Sequence, residues 1–279
     1  MHSVEVFPDG SRLRWVEVPG SGPTRVYLHG LGASSAPYYA EAIAHPALAG
    51  HRSLLLDLLG FGISDRPLDA SYSLDMHAEV LARALGSIGV HQADVVAHSM
   101  GGAVATVLAA HHPELVRRLV LIDAPLDPVP HLPTVKRPGS SGIGVYRTEA
   151  EFLDHGWDET LQFVGPHWAA TMRQAGPQAL YRSAMSLLRG TTPTVRQHLE
   201  ALPHPRTFLY PAADGPRPDG DRLTAAGVTV VAIPDSGHNI MLDNVDGFAT
   251  AVRAALHDSP QRTSAERVGD ARPDLWQPA

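Results

Sequence analysis

The sequence contains no cysteine in its 279 residues. Disulfide bonds, thiolate metal sites and cysteine nucleophiles are therefore excluded. The chain has a single lysine, Lys136, and a net charge of −7, which argues against nucleic acid as a partner because such a partner requires a clustered basic surface. No H-E-x-x-H motif or comparable spacing of metal ligands occurs, so neither a metal nor another cofactor is expected.

Long apolar runs are also missing. No segment approaches the ~18 residues of a membrane-spanning helix, and the first residues, MHSVEVFPDG, lack the basic and apolar parts of a secretory signal. We therefore expect a cytoplasmic protein that binds neither membrane nor nucleic acid. Nothing in the sequence indicates an oligomeric state.

Short apolar segments alternate with helical patterns along much of the chain. After a hairpin within the first 18 residues, buried strands are predicted at 24–28, 52–57, 93–97, 117–123, 206–210 and 228–233. This alternation predicts an α/β fold with a mostly parallel, doubly wound sheet that helices cover on both faces. In such sheets the chemistry lies in the loops beyond the carboxyl ends of the strands.

Residues 127–203 interrupt the alternation with a Pro-rich stretch followed by helical patterns rich in large apolar side chains. We predict a helical lid inserted between two parts of the core, 1–126 and 204–258, with 259–279 as a polar tail that is flexible or loosely docked. Helix boundaries are predicted from capping residues. These are Ser73 as an N-cap, Thr148 with Glu151 as a capping box, Pro177 and Gly190 at the two ends of one helix, and Thr192-Pro193 at the start of the last lid helix.

The stretch DVVAHSMGGAVA, residues 94–105, is typical of a strand, a sharp turn and a helix with Ser99 at the turn. A nucleophile on such a turn needs very small neighbours two positions to either side, because larger side chains collide with the strand and the helix. Ala97 and Gly101 meet this requirement. A buried serine in an ordinary turn is the alternative, and the flanking strand and helix favour the nucleophile.

A serine nucleophile needs a base and a carboxylate that orients the base. His238, in the Gly-flanked loop PDSGHNIMLD, follows the last predicted strand and is the candidate base. Two carboxylates follow strands: Asp123 in LVLIDAP and Asp214 in LYPAADGP, and the chain order Ser, Asp, His holds for both. The candidate oxyanion donors are the backbone N–H groups of Met100, after the serine, and Leu31, in HGLG.

Taken together, HGLG, DLLGFGISD, AHSMGG, the Asp after LYPAA and the GH of DSGHNIM resemble the α/β-hydrolase superfamily from about Val4 to Leu256. More narrowly, the chain resembles the lidded serine hydrolases, which include esterases, lactonases, haloperoxidase-like enzymes and carbon–carbon bond hydrolases. This resemblance implies Ser99 as nucleophile and His238 as base. Since the family pattern places the acid after the fifth core strand, it favours Asp214 over Asp123.

The resemblance also implies oxyanion donors at Leu31 and Met100, and chiefly structural roles for Asp57 and Asp243. The sequence therefore predicts a carboxylic ester hydrolase that cleaves an ester or lactone of a small to medium hydrophobic substrate. A carbon–carbon hydrolase or lyase with the same triad is the alternative, and a non-catalytic ligand receptor is a further one. The candidate substrate-pocket residues are His98, Trp157, Phe163 and Trp168.

Overall fold

The computed structural model describes residues 1–137 and 140–257 of the chain. An eight-stranded sheet runs through its centre in the order β1-β2-β4-β3-β5-β6-β7-β8. The strands are β1 (His2–Glu5), β2 (Arg12–Val18), β3 (Ser21–Leu28), β4 (His51–Asp57), β5 (Ala93–His98), β6 (Val116–Ile122), β7 (Arg206–Pro211) and β8 (Val228–Ile233). The first two form the predicted antiparallel hairpin, and β3 to β8 are parallel, which confirms the predicted fold class.

Helices cover both faces of the sheet. They are α1 (Ser35–Ala44), α2 (Leu74–Ser87), α3 (Met100–His111), α9 (Gly220–Ala225), α10 (Ile240–Asp243) and α11 (Val245–His257). Buried side chains of α2 and α3 join one apolar cluster, and those of α1, α10 and α11 join a second one on the other side. The sheet is therefore doubly wound.

Strand β5 shows how the sequence produces this arrangement. Val95 and Ala97 pack into the first cluster and Val96 into the second, because successive side chains of a strand point to opposite faces. A strand that is buried on both faces must be apolar throughout, as the sequence predicts. Burying a side chain such as Leu28 completely contributes about 1.5–3 kcal/mol.

In the described part of the segment between β6 and β7 there are five α-helices. They are α4 (Glu149–Glu151), α5 (Trp157–Phe163), α6 (Pro166–Met172), α7 (Pro177–Arg189) and α8 (Val195–Ala201). They occupy the segment predicted to be a lid, and its independence as a domain stays a prediction. The predicted tail, 259–279, lies outside the described residues. No helix in the described part of the chain is both long and apolar enough to cross a membrane.

Two of the predicted helix boundaries hold and two need correction. The Ser73 hydroxyl accepts a hydrogen bond from the Met76 N–H at 3.0 Å, and α7 begins at Pro177 and ends at Gly190. The Thr148 box is only half formed: its hydroxyl accepts from the Glu151 N–H, but the Glu151 carboxylate accepts from Arg147 N–H rather than from Thr148.

The last inserted helix does not begin at Thr192-Pro193. It begins at Val195, after Thr194, whose hydroxyl accepts from the Gln197 N–H at 3.2 Å. The Gln197 side chain in turn accepts from the Thr194 N–H at 2.9 Å. The reciprocal capping bonds therefore place the helix start two residues later than the proline indicated.

Candidate active site

Ser99 occupies a strained turn between β5 and α3. Its backbone has φ 49° and ψ −120°, a region that residues other than glycine rarely adopt. The Ser99 N–H donates to the Ile122 carbonyl at 2.9 Å, and its own carbonyl accepts from the Gly102 N–H at 2.9 Å. Strand pairing on one side and the first turn of α3 on the other thus hold the serine in this conformation.

Close backbone packing explains the small residues around Ser99. A Cβ at Gly101 would lie 2.5 Å from the His29 carbonyl oxygen, and one at Gly102 would lie 2.6 Å from the Ala124 Cβ. Ala97 is fully buried and occupies the remaining small-residue position without disturbing the strand. An alanine in place of the more usual glycine is therefore compatible with the turn.

His238 lies in the loop between β8 and α10, where its Nδ1 is 2.6 Å from the Asp123 Oδ2. Donation from Nδ1–H to this carboxylate leaves Nε2 as the proton-free nitrogen of the neutral ring. The side chain of His238 is 37% exposed and lines the cavity that contains Ser99, whereas that of Asp123 is 22% exposed and lies behind the imidazole. This arrangement is suited to a general base.

The carboxylate beside His238 is therefore Asp123, and the sequence-based preference for Asp214 is corrected. Asp214 is exposed in a 3₁₀ turn after β7, and within the described residues it forms no hydrogen bond or ion pair with His238. Asp123 comes directly after β6, the strand that pairs with β5, and so lies beside the Ser99 turn. The order of strands in the sheet, which the sequence does not contain, decides between the two.

His98 supports the loop that carries His238. Its Nε2 is 2.8 Å from the His238 carbonyl oxygen, and the two rings lie 4.6 Å apart between centroids. Burial, together with the nearby His238, lowers the pKa of His98 well below its ordinary value of 6.5. The ring is therefore neutral and donates its Nε2–H to the loop carbonyl.

Further hydrogen bonds fix the same loop. The Asp243 carboxylate accepts from the Gly237 N–H at 2.9 Å, and the Asn244 amide donates to the Pro234 carbonyl at 2.9 Å. Asp57 fixes loop backbone on the other side of the site, where its carboxylate accepts hydrogen bonds from the Ser35 and Ile63 N–H groups. These contacts agree with the structural roles that the resemblance implied for the two aspartates.

The loop after β3 passes directly beside Ser99. A Cβ at Gly30 would lie 3.1 Å from the Ser99 Cβ, so the backbone can come this close only because the residue is glycine. Buried His29 donates from Nδ1 to the Gly30 carbonyl at 2.7 Å, while its Nε2 accepts from the Leu58 N–H at 3.0 Å.

This histidine orients a candidate oxyanion donor. The Gly30 carbonyl and the Leu31 N–H belong to one planar trans peptide group, so they point in opposite directions. Fixing the carbonyl against His29 therefore also fixes the direction of the Leu31 N–H. Burial lowers the pKa of His29, which the Asp57 carboxylate opposes only in part, so the ring stays neutral. The sequence analysis gave His29 no role, although its place before Gly30 is the signal that could have found it.

The inserted helices contact the same loop through α6. The Trp168 indole N–H donates to the Leu31 carbonyl at 2.9 Å, and the Thr171 hydroxyl is 3.1 Å from the Gly32 carbonyl oxygen. A Cβ at Gly32 would lie 2.8 Å from the Met172 Cε, so the packing here is close as well. The segment predicted to be a lid thus holds the backbone that carries the candidate oxyanion donor.

A cavity of about 240 Å³ is lined by Ser99, by His238, and by Gly30 and Leu31 of the loop after β3. Two of the four predicted pocket residues, His98 and Trp168, line it, whereas Trp157 and Phe163 do not. Trp157 instead packs edge-to-face on Phe152, at 6.4 Å between ring centroids. The residues that the sequence analysis missed are Ala33, Tyr38, Val164, His167 and Asn239.

A second cavity of about 300 Å³ adjoins the first at Leu31, which lines both. Its walls are mostly apolar and come from the inserted segment, including Val129, Leu187 and Leu188. Arg137 is also part of its lining. The site therefore has room for the reacting group beside Ser99 and for a larger apolar part under the inserted helices.

A family model described as the alpha/beta hydrolase fold matches residues 26–143 of the chain. A 2-hydroxymuconate semialdehyde hydrolase of Pseudomonas sp. strain CF600 is 39% identical over 146 residues, which cover 52% of this chain and 45% of the relative. The matched part thus spans less than half of the length of that relative.

Solved structures match over nearly the whole chain. An esterase from Exiguobacterium antarcticum has a TM-score of 0.72 at 20% identity, covering 92% of this chain and 99% of that one. A meta-cleavage product hydrolase from Pseudomonas fluorescens IP01 has a TM-score of 0.68 at 20% identity, covering 92% and 97%. At these identities the likeness concerns the fold. The family model, which matches less than half of the chain, and the solved structures agree that the chain has the α/β-hydrolase fold.

Proposed function

We propose that this protein is a serine hydrolase that cleaves a carboxylic ester or lactone through an acyl-enzyme on Ser99. The observation that carries the proposal is that His238, which is paired with Asp123, lines the same cavity as Ser99 in its strained turn. A serine hydroxyl is a weak nucleophile at neutral pH, and a neutral imidazole oriented by a carboxylate supplies the missing base.

In the proposed reaction, Ser99 Oγ attacks the substrate carbonyl carbon while His238 Nε2 takes the hydroxyl proton. The N–H groups of Leu31 and Met100 stabilise the resulting oxyanion, and the imidazolium protonates the departing alcohol as the tetrahedral intermediate collapses. Water then attacks the acyl group with His238 again as base, and release of the carboxylic acid restores Ser99. Asp123 stabilises the imidazolium at both stages.

The shape and lining of the two cavities support the proposed substrate class. The apolar walls of the second cavity suit a hydrophobic acyl or alcohol part of small to medium size, which would extend past Leu31 from the reacting carbonyl. Esterase and lactonase structures among the structural relatives support this substrate class by analogy of fold.

The decisive experiment is labelling with a fluorophosphonate probe followed by peptide mapping. We expect a single stoichiometric label on Ser99, and we expect Ser99→Ala and His238→Gln to abolish it. Folded protein that takes up no label at Ser99 would exclude a serine hydrolase. Asp214→Asn is the matched control, because that carboxylate lies away from His238 and its loss should leave labelling unchanged.

A carbon–carbon bond hydrolase with the same triad is the second candidate. Relatives named 2-hydroxymuconate semialdehyde hydrolase support it, and Arg137 in the second cavity could bind a carboxylate on such a substrate. Turnover of short aryl esters should be compared with turnover of a vinylogous 1,5-diketone. A kcat/KM that is larger for the diketone, and that falls in Arg137→Gln, would favour the second candidate over the first.

A further inference from the structure

A third cavity, polar and of about 240 Å³, lies at the opposite end of the sheet from Ser99. Its walls include Arg25, Asp94 and Arg118, which are direct neighbours in the register of β3, β5 and β6 near the amino ends of these strands. Asp94 and Ser99 are separated by five residues of nearly extended chain, or about 17 Å. The cavity is therefore distinct from the candidate active site.

The charges around this cavity do not balance. Among the residues that the structure describes, Arg25, Arg117 and Arg118 contribute three guanidinium groups to the lining and Asp94 a single carboxylate, which leaves an excess of two positive charges. Arg25 and Asp94 are each 2% exposed and Arg118 is 8% exposed. Charges that are removed from water to this extent need partners of the opposite sign.

The protein itself satisfies few of the available hydrogen-bond donors. Arg25 donates to the Leu48 carbonyl at 3.0 Å, Arg118 donates to the Leu256 carbonyl at 2.7 Å, and Arg117 bonds to Asp94. Each guanidinium carries five N–H groups, so most of these N–H groups form no hydrogen bond to another described residue of the protein. Several buried polar atoms of the lining have no hydrogen-bond partner within residues 1–137 and 140–257: the donors Arg25 Nε and Arg117 Nε, His51 Nδ1, and the acceptor Asp94 Oδ1.

The histidine of the lining is affected by the same charges. Burial lowers the pKa of His51, with further lowering by Arg25 and His257. A negative charge in the cavity would oppose the influence of Arg25 and raise that pKa.

We propose that this cavity is a binding site for a small multivalent oxyanion of the phosphate type. Guanidinium groups bind such anions through paired, charge-assisted hydrogen bonds, and three of them surround a volume that suits a single tetrahedral anion or phosphomonoester. Bound anion neutralises the excess positive charge and occupies the unpaired donors. Because it ties together the starts of three strands that lead to the active-site loops, it stabilises the whole sheet.

The test is calorimetric titration of the full chain with inorganic phosphate, at constant ionic strength maintained with chloride. We expect saturable one-to-one binding and a rise in the pKa of His51 measured by NMR. Arg117→Gln should weaken binding about 10- to 100-fold, because one charge-assisted contact is lost. Asp94→Asn should tighten it, because the competing carboxylate is removed.

Arg182→Gln is the matched control. Arg182 pairs with Glu149 in the inserted helices, and its side-chain exposure of 28% is close to the 31% of Arg117. Equal phosphate affinity in the wild type and Arg117→Gln would overturn the proposal, as would the absence of saturable binding. A parallel titration with glycerol 1-phosphate shows which ligand the cavity prefers. An affinity equal to that for inorganic phosphate indicates free phosphate, and a higher affinity indicates a phosphomonoester.

Discussion

Two residues at the candidate active site have backbone conformations that few side chains tolerate. Ser99 and Asp123 both have positive φ values, 49° and 44°. Each residue directly follows a central strand. The unusual conformation therefore turns the chain sharply at the carboxyl end of that strand, where the side chain enters the site. Aspartate and asparagine tolerate this region better than most residues. The backbone at Asp123 therefore favours a residue type that can also serve as the triad acid.

This tolerance permits a clean test of the acid. Asp123→Asn preserves the backbone preference and removes only the charge, so we expect kcat on an aryl ester to fall by ~10³–10⁴ through loss of the correct His238 tautomer. Asp214→Asn should stay within a few fold of the wild type. Steady-state kinetics of the two variants side by side checks the assignment, and the reverse pattern of losses would show that Asp214 is the acid.

The close packing at the nucleophile turn gives a second test at the residue scale. Gly101→Ala would place its Cβ 2.5 Å from a backbone oxygen, and neither side can move away easily. We expect a loss of stability of about 1–3 kcal/mol, which lowers Tm by several degrees, together with a large loss of activity.

Gly86→Ala is the matched control for this change. Gly86 lies in α2 with nothing within 4 Å of its potential Cβ, so alanine should stabilise the helix by about 1 kcal/mol and raise Tm. Thermal unfolding of both variants measures the difference. Equal shifts in the two variants would contradict the close approach at the turn.

At the scale of elements, α6 connects the inserted segment to the loop after β3, which carries Leu31. Trp168→Phe keeps the aromatic ring and removes the N–H that donates to the Leu31 carbonyl. Because a neutral hydrogen bond contributes about 0.5–1.5 kcal/mol, we expect kcat to fall by up to about tenfold with little change in KM. The rate of inactivation by a fluorophosphonate should fall in parallel.

Trp157→Phe serves as the control, because Trp157 packs within the inserted helices and lies outside the cavity that contains Ser99. Its kcat and inactivation rate should match those of the wild type. If both variants lose activity equally, the indole N–H of Trp168 does not position the loop.

Strands and helices were predictable from the sequence to the extent that one local pattern determines each of them. The apolar run of β5 and the Ser73 cap of α2 both act within a few residues, and the structure confirms them. The start of α8 was not predictable in the same way. A proline at position 193 competes with the Thr194 cap, and the reciprocal bonds of the cap determine where the helix begins.

At the scale of the whole molecule, the order of the strands in the sheet determines which residues lie side by side. Local sequence patterns do not contain this order. Asp123 and Asp214 each follow a strand, and only the pairing of β5 with β6 shows which of them lies beside the serine. The same reasoning explains the pocket residues. Trp157 and Trp168 are both aromatic residues of one inserted segment, and their helices turn only the second toward Leu31.

The buried histidines make the stability of the folded protein depend on pH. Burial lowers the pKa of His77 to about 3, and it also lowers the pKa values of His29 and His98 below 6.5. Below pH 6.5 the unfolded chain binds protons that the folded protein does not bind. Stability from these groups is therefore complete above pH 6.5 and is lost as the pH falls, on the order of 1 kcal/mol per pH unit for His77 down to its pKa of about 3.

Urea unfolding at pH 7.5, 6.5, 5.5 and 4.5 measures this slope. His77 belongs to α2, and its Nε2 lies 3.0 Å from the Ser183 hydroxyl of the inserted α7, so its protonation would disrupt the contact of the inserted helices with the core. We expect His77→Gln, which can still reach this hydroxyl, to flatten the decline below pH 6.5, because one proton-linked group is gone. A variant slope equal to that of the wild type would show that His77 takes up its proton within the folded protein.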